Sequence, residues 1–103
     1  MSAAPVRFGL VGTGWRSEFF VRLAQRLPGR LTVSGVVSRS PERAAEVEAA
    51  WGVRACLGVD ELRAGPEAPE FVIPSVPWTV TPEVTKDLVR REVPVLAETP
   101  PAA

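Results

Sequence analysis

The segment that most constrains this chain is residues 6–20, where an apolar run meets a glycine turn and then a helical pattern. Val6–Val11 is apolar and rich in strand-forming residues, which predicts a β-strand. Gly12–Gly14 follows at once and predicts a tight turn. Beyond it, apolar residues recur at helical spacing, and we expect the buried helix face to consist of Phe19, Phe20, Leu23, Ala24 and Leu27. A strand, glycine turn and helix in this order present backbone N–H groups and a helix N-terminus to an anion.

The turn partly matches the dinucleotide fingerprint G-x-G-x-x-G or G-x-G-x-x-A. Gly12 and Gly14 occupy the first two positions, and Ser17 occupies the third. Serine is small, but it adds a hydroxyl where helix and strand must approach closely. The alternative is a tight strand-to-helix turn that binds no ligand. The position of the motif between a strand and a helix favours the binding interpretation.

Composition narrows the class of protein. The chain has 103 residues, 46% of them apolar, and a formal net charge of zero, which together predict one small globular domain without an electrostatic footprint for nucleic acid. No apolar run approaches the roughly 20 residues of a membrane span, and the N-terminus does not resemble a signal peptide. Cys56 is the only cysteine, which excludes an internal disulfide and favours a reducing cytoplasm.

The residue types that are missing are equally informative. The chain has no histidine and no tyrosine, and Lys86 is its only lysine. Ser-His-Asp and Cys-His arrangements are therefore excluded within the chain, and so are the usual zinc sites. The acid–base groups that remain are carboxylates, Cys56 and Lys86. We expect a binding domain with no metal ligands rather than a complete enzyme.

The rest of the sequence alternates between short apolar strands and helices. Further strands are expected at 31–37, 53–57, 70–75 and 93–97, and a helical turn at 59–63. Ser40-Pro41-Glu42 and Thr81-Pro82-Glu83 are helix starts, each with a hydroxyl cap followed by proline. This pattern predicts an α/β fold: a doubly wound, mostly parallel, Rossmann-like sheet with strand order 3-2-1-4-5 and helices on both faces.

Ligands of such sheets bind beyond the carboxyl ends of the strands, where the strand order reverses. The segments expected there are 12–16, 38–40, 75–78 and 98–100. From these segments we take the candidate cofactor-binding residues Gly12, Thr13, Gly14, Trp15, Arg16, Ser38, Arg39, Ser75, Pro77 and Glu98.

The end of the second strand bears on which dinucleotide binds. An acid about 20 residues past the glycines usually accepts the adenosine ribose hydroxyls, but here Ser38-Arg39 stands in its place. A carboxylate would repel a 2′-phosphate, whereas Arg39 would bind one, so the sequence predicts NADP over NAD. Alternatively, Arg39 is a solvated loop residue and Ser38 merely caps. Arg16 either helps to bind phosphate or faces water.

Two tryptophans lie in the segments of the predicted site. Trp15 follows the second glycine and either covers the pyrophosphate or packs at the mouth of the domain. Trp78 follows the fourth strand and lies near the nicotinamide end or at an interface with another domain.

Four segments together carry a family resemblance: 8–14, 35–44, 71–77 and 95–100. In this order and spacing the chain resembles the N-terminal half of the glucose-fructose oxidoreductase/inositol dehydrogenase (Gfo/Idh/MocA) family over nearly its whole length. The resemblance implies an NAD(P)-dependent oxidoreductase that acts on sugars, polyols or related hydroxyl/keto compounds. Hydride would pass between a substrate carbon and the nicotinamide.

The resemblance also implies a larger protein. Residues 1–103 would be the dinucleotide-binding domain, and a C-terminal α/β domain outside this sequence would supply most of the small-molecule substrate site and a homo-oligomer interface. We therefore expect the isolated chain to associate with itself.

The chain departs from the family pattern at two positions. Thr99 occupies the place of the lysine in the family's Glu-Lys-Pro motif, and Val80 stands near the place of a histidine. Threonine carries no positive charge and is a poor proton donor at neutral pH, so we assign no catalytic residue to this chain. The alternatives to an oxidoreductase domain are a non-catalytic NAD(P)-binding regulatory or sensor module and a degenerate domain kept for assembly.

Overall fold

The fold is known from a computed structural model, which describes residues 4–65, 67–75 and 81–96, the last range with only the backbone of 81 and 82. Strands and helices alternate along these residues. The elements are β1 (Val6–Val11), α1 (Trp15–Arg26), β2 (Leu31–Val37), α2 (Pro41–Trp51), β3 (Ala55–Cys56), α3 (Val59–Arg63), β4 (Phe71–Pro74) and α4 (Thr81–Arg90).

The strands form one parallel sheet with the order β3-β2-β1-β4. This confirms the predicted doubly wound α/β architecture. The fifth strand is reduced, within the described residues, to a single parallel bridge between Val95 and Val72 of β4. Val95 therefore lies beside β4, where the order 3-2-1-4-5 places it.

Local sequence signals determine the ends of α2. The Oγ of Ser40 accepts a hydrogen bond from the backbone N–H of Arg43 at 3.2 Å, and Pro41 occupies the first turn. At the other end Gly52 adopts the left-handed conformation, with φ of 68°. The predicted serine cap and proline start are confirmed, and the glycine stop is equally local, because each depends on residues within one turn of the helix end.

Side chains alternate between the two faces of the sheet and form a hydrophobic cluster on each. The first cluster lies under α1 and α2 and contains Phe8, Leu10, Val21, Ala24, Val36, Val47, Trp51 and Ile73. The second lies under α3 and α4 and contains Cys56, Leu62, Val72, Leu88 and Val93.

Two glycines let α3 approach the sheet closely. A Cβ placed on Gly9 of β1 would lie 2.6 Å from Cδ2 of Leu62, and one on Gly35 of β2 would lie 2.9 Å from its Cδ1. Leu62 is fully buried. The short helix α3 therefore packs its buried Leu62 side chain into space that the two strand glycines leave open.

The predicted buried face of α1 was wrong in part. The residues that the helix buries are Ser17, Val21 and Ala24, while Phe19 and Leu23 are 49% and 36% exposed. Leu27 lies past the end of the helix as its C-terminal cap. Small residues at 17 and 24 allow α1 to approach the sheet, as the third position of a dinucleotide fingerprint requires. Phe20 packs only against the margin of the core.

The third strand is also shorter than predicted, with two residues rather than five. Its Cys56 is buried, and burial raises the pKa of the thiol. The thiol therefore stays protonated at neutral pH and packs as a small apolar group. In the part of the chain that the structure describes, no helix has the length and apolar character needed to cross a bilayer.

Candidate functional site

The carboxyl ends of the strands align at one edge of the sheet. The N–H of Gly12 donates to the carbonyl of Val37 at 2.9 Å, and the N–H of Ser75 donates to the carbonyl of Val11 at 2.7 Å. Consequently, the segments that leave β1, β2 and β4 begin side by side. In the sheet, β2 lies on one side of β1 and β4 lies on the other. The strand order therefore reverses at β1, and this edge contains the switch point.

A cleft of about 830 Å³ opens at this edge. Its described lining includes eight of the ten residues that the sequence proposed for cofactor binding: Gly12, Thr13, Gly14, Trp15, Arg16, Ser38, Arg39 and Ser75. Pro77 and Glu98 lie outside the described residues, as do Trp78, Val80 and Thr99. Arg43, Leu57 and Val84 also line the cleft, although the sequence did not single them out as site residues.

The glycine turn forms the floor of the cleft between β1 and α1. Gly12 has a φ of 112°, which side chains rarely tolerate. Gly14 is extended, with φ of −82°, and a Cβ built on it would meet no atom within 4 Å. No side chain caps the N-terminus of α1, whereas Ser40 caps α2. The turn thus combines open space with the uncapped first-turn N–H groups of a helix, an arrangement suited to an anion.

The loop after β2 is held by its own serine. The Ser38 side chain is 3% exposed; its Oγ donates to the carbonyl of Ser40 at 3.1 Å and lies 3.4 Å from the Ser40 N–H. Arg39 is exposed and lines the cleft. The Ser38 side chain therefore stabilises the loop by bonding to its backbone. Arg39 is the residue of this loop that contributes charge to the cleft.

Arg43 joins the two loops of the cleft. Its Nη2 donates to the carbonyl of Thr13 in the glycine turn at 2.7 Å, and its Nη1 pairs with Glu46 at 3.0 Å. Its guanidinium also lies 5.8 Å from the ring centroid of Trp51. Sequence reasoning used Arg43 only as part of a family segment. The signal available was its place three residues after the Ser40 cap, which puts it on the first turn of a helix that starts beside the glycine turn.

The rim of the cleft is aromatic and cationic. Trp15 is 72% exposed, and the Arg16 guanidinium lies 5.3 Å from its ring centroid. The same guanidinium lies 5.6 Å from the rings of Phe19 and Phe20. Together with Arg39 and Arg43, Arg16 gives the described lining three arginines, and that lining contains no carboxylate. The cleft therefore favours an anionic ligand.

The described residues contain no cluster of side chains that could bind a metal ion. Within residues 4–65, 67–75 and 81–96, no three histidine, cysteine or acidic side chains lie close enough to share an ion.

A parallel doubly wound sheet with a glycine turn and an arginine-lined cleft at its switch point defines a Rossmann-type dinucleotide-binding domain. The family follows from the sequence: the model of the Gfo/Idh/MocA oxidoreductase family, NAD-binding Rossmann fold, matches residues 6–103. The chain belongs to this family, which confirms the resemblance found in its four segments.

Solved structures with the same fold include three dehydrogenases or reductases. The WlbA dehydrogenase from Bordetella pertussis, solved with NADH and UDP-GlcNAcA, is 22% identical with a TM-score of 0.79 and covers 99% of this chain. The UDP-N-acetylglucosamine 3-dehydrogenase GnnA from Acidithiobacillus ferrooxidans is 28% identical, with a TM-score of 0.74 and 95% coverage. Biliverdin reductase from Synechocystis, solved with biliverdin and NADP+, is 23% identical, with a TM-score of 0.73 and 96% coverage.

The similarity covers only part of each of those proteins. This chain spans 30% of WlbA, 29% of GnnA and 31% of the biliverdin reductase. No curated protein sequence matches the chain.

Proposed function

We propose that this chain is the NADP(H)-binding domain of an oxidoreductase that acts on a sugar, polyol or related hydroxyl/keto compound by hydride transfer. The observation that carries the proposal is the cleft over the glycine turn, where three arginines and no carboxylate line the described surface. A nicotinamide dinucleotide contains a diphosphate, and NADP adds a 2′-phosphate. The negative charge of the ligand therefore complements the positive charge of the lining.

Each phosphate group of the dinucleotide has candidate partners along the cleft. The open space over Gly14 and the uncapped N-terminus of α1 suit the diphosphate. Arg39, on the loop after β2, lines the cleft. We expect the adenosine ribose to bind at this loop, where Arg39 would pair with a 2′-phosphate. Ser38, whose hydroxyl bonds to Ser40, would hold that loop in place rather than contact the phosphate.

The nicotinamide, once bound, supplies the hydride-carrying carbon. In this chain the residues around the cleft bind and orient the cofactor. The proton that accompanies the hydride would be handled by groups outside the described residues or in a second domain, since the described lining contains no carboxylate, histidine, lysine or cysteine. Two similar structures point to carbohydrate chemistry: WlbA was solved with a nucleotide sugar, and GnnA is named as a nucleotide-sugar dehydrogenase.

The alternative is a non-catalytic NAD(P)-binding regulatory or sensor module. The observation that favours it is Thr99 at the family's lysine position, together with the absence of histidine from the sequence. Catalytic turnover distinguishes the two functions. A module that binds NADP but never oxidises or reduces a sugar or polyol when joined to its second domain would be a sensor.

The second domain and the oligomer are part of the proposal. Trp15, Phe19 and Leu23 follow one another at spacings of four along α1 and are all exposed, so they form an apolar stripe beside the cleft. We propose that a substrate-binding domain of the same polypeptide covers it. Sedimentation of the 103-residue chain should then show self-association, and a clean monomer at high concentration would contradict this.

The direct test is calorimetric titration of the chain with NADP and, separately, with NAD. We expect NADP to bind at least tenfold more tightly, about 1.4 kcal/mol. Arg39→Gln should remove this preference and leave NAD binding unchanged, whereas Arg30→Gln, a control in the exposed turn before β2, should leave both unchanged. Equal affinities in the wild type would contradict NADP specificity, and binding of neither dinucleotide would contradict the proposed function.

A further inference from the structure

We propose that Arg43 is a positioning residue that fixes the peptide between Thr13 and Gly14, so that the Gly14 N–H is held ready for the diphosphate. The inference rests on the proposed dinucleotide function and adds a residue that the glycine fingerprint does not contain. Its basis is the 2.7 Å hydrogen bond from Nη2 of Arg43 to the Thr13 carbonyl.

The geometry of one peptide plane connects the two groups. In a trans peptide the carbonyl of residue 13 and the N–H of residue 14 point in opposite directions. All described peptide bonds are trans. A guanidinium that holds the carbonyl toward α2 therefore directs the Gly14 N–H to the other side of the plane. Because the guanidinium donor is charged, its hydrogen bond also polarises the peptide and makes the Gly14 N–H a better donor.

The turn needs such a restraint because two of its three residues, 12–14, are glycines. Gly14 has no side chain, and a Cβ there would touch nothing within 4 Å. Gly12, one residue further back, has a φ of 112°. Glycine explores more backbone conformations than any other residue, so an unrestrained peptide here would lose its orientation readily.

Arg43 is itself restrained on several sides. Nη1 pairs with Glu46 at 3.0 Å, and the guanidinium lies against the Trp51 ring. Its backbone N–H donates to Ser40 Oγ at 3.2 Å, which ties it to the loop that carries Arg39. Through one residue, the glycine turn and the loop after β2 are thus held at a fixed separation.

A competing role for Arg43 is direct contact with the 2′-phosphate of NADP. Three ligands distinguish the two roles: NAD carries only the diphosphate, adenosine 2′-monophosphate carries only the 2′-phosphate, and NADP carries both. A residue that orients the Gly14 peptide should matter wherever a diphosphate is present. A residue that contacts the 2′-phosphate should matter wherever that group is present.

The experiment compares Arg43→Met with Arg22→Met by calorimetric titration of the chain with all three ligands. Arg22 is a matched control, because it also reaches from its helix to a distant backbone carbonyl and pairs with a glutamate on its own helix: it donates to the Ala50 carbonyl at 3.3 Å and pairs with Glu18. We expect Arg43→Met to weaken NAD and NADP alike by about tenfold and adenosine 2′-monophosphate by less than about twofold. Arg22→Met should change none of the three. Arg43→Lys, which keeps the charge and a donor, should restore part of the loss.

Two patterns would overturn the inference: unchanged affinities for NAD and NADP, or losses confined to NADP and adenosine 2′-monophosphate. A second readout does not depend on binding. The amide resonance of Gly14 in the ligand-free chain should shift in Arg43→Met and stay in place in Arg22→Met, and an unshifted resonance would also overturn the inference. If the wild type binds no dinucleotide, the proposed function fails, and this resonance alone decides the role of Arg43.

Discussion

Two pairs of glycines in this domain have different structural roles. Gly9 and Gly35 lie within neighbouring strands, where a Cβ on either would come within 3 Å of the Leu62 side chain. Gly12 and Gly14 lie at the turn; Gly12 needs its positive φ, and a Cβ on Gly14 would meet nothing. The strand pair is required by the protein's own packing. The turn pair supplies a positive φ at Gly12 and open space over Gly14, where we propose that the ligand binds.

Residues that determine stability and residues proposed to determine binding therefore lie within a few positions of each other along β1 and the turn that follows it. Substitutions at the strand pair or at Leu62 should lower the free energy of unfolding and leave the cleft intact in the molecules that remain folded. A side chain added at Gly14 should do the reverse. Unfolding and binding measurements on such variants test that separation.

The largest effect on stability is expected for Leu62→Ala. Leu62 is fully buried and fills the space over both strand glycines, so its truncation leaves a cavity and should cost about 2–5 kcal/mol of unfolding free energy. Urea denaturation measures this. A loss below about 1 kcal/mol would mean that α3 does not pack as described.

A smaller loss is expected for Gly9→Ala. The added methyl group meets Leu62 at 2.6 Å, and the repacking should cost about 1–3 kcal/mol. Gly29→Ala is the matched control: its Cβ would meet no atom, and its unfolding free energy should change by no more than about 0.5 kcal/mol. In the Leu62→Ala background, Gly9→Ala should cost less than it does alone, because its methyl group enters the cavity. Additive losses in the double mutant would contradict direct contact.

The smallest effect concerns Ser17, the third position of the fingerprint. Its side chain is fully buried, and its Oγ has no hydrogen-bond partner within the described residues. Ser17→Ala removes an unsatisfied hydroxyl and improves helix propensity, so it should stabilise the domain by about 1 kcal/mol. Thermal denaturation would show this as a higher Tm. A lower Tm would indicate that the hydroxyl has a partner that stabilises the fold.

Much of the fold could be predicted because its signals are local. β1 and β2 begin and end where their apolar runs do, and the Ser40 cap and the Gly52 stop act within one helical turn. The buried face of α1 could not be predicted in this way. Its apolar residues extend around much of the helix, and the periodicity does not show that the small Ser17 and Ala24, rather than Phe19 and Leu23, face the sheet.

The site was predictable to the extent that it follows from topology. Residues that directly follow parallel strands meet at one edge, which is why Gly12, Ser38 and Ser75 line one cleft. The role of Arg43 depends on where its side chain ends, 30 positions along the chain from its partner Thr13. Similarly, the sequence placed Ser38 in the site and left open whether its hydroxyl binds a ligand or caps, and the structure shows the hydroxyl bonded to Ser40.

The central claim, that the glycine turn is kept for a dinucleotide, is tested most directly by titrating Gly14→Ala and Gly9→Ala with NADP. Gly14 has a φ of −82°, which alanine tolerates, so Gly14→Ala should lose less than about 1 kcal/mol of stability while its added methyl group occupies the space of the diphosphate. We predict at least a tenfold weaker affinity for Gly14→Ala and an unchanged affinity for folded Gly9→Ala. Wild-type affinity in Gly14→Ala would contradict the account.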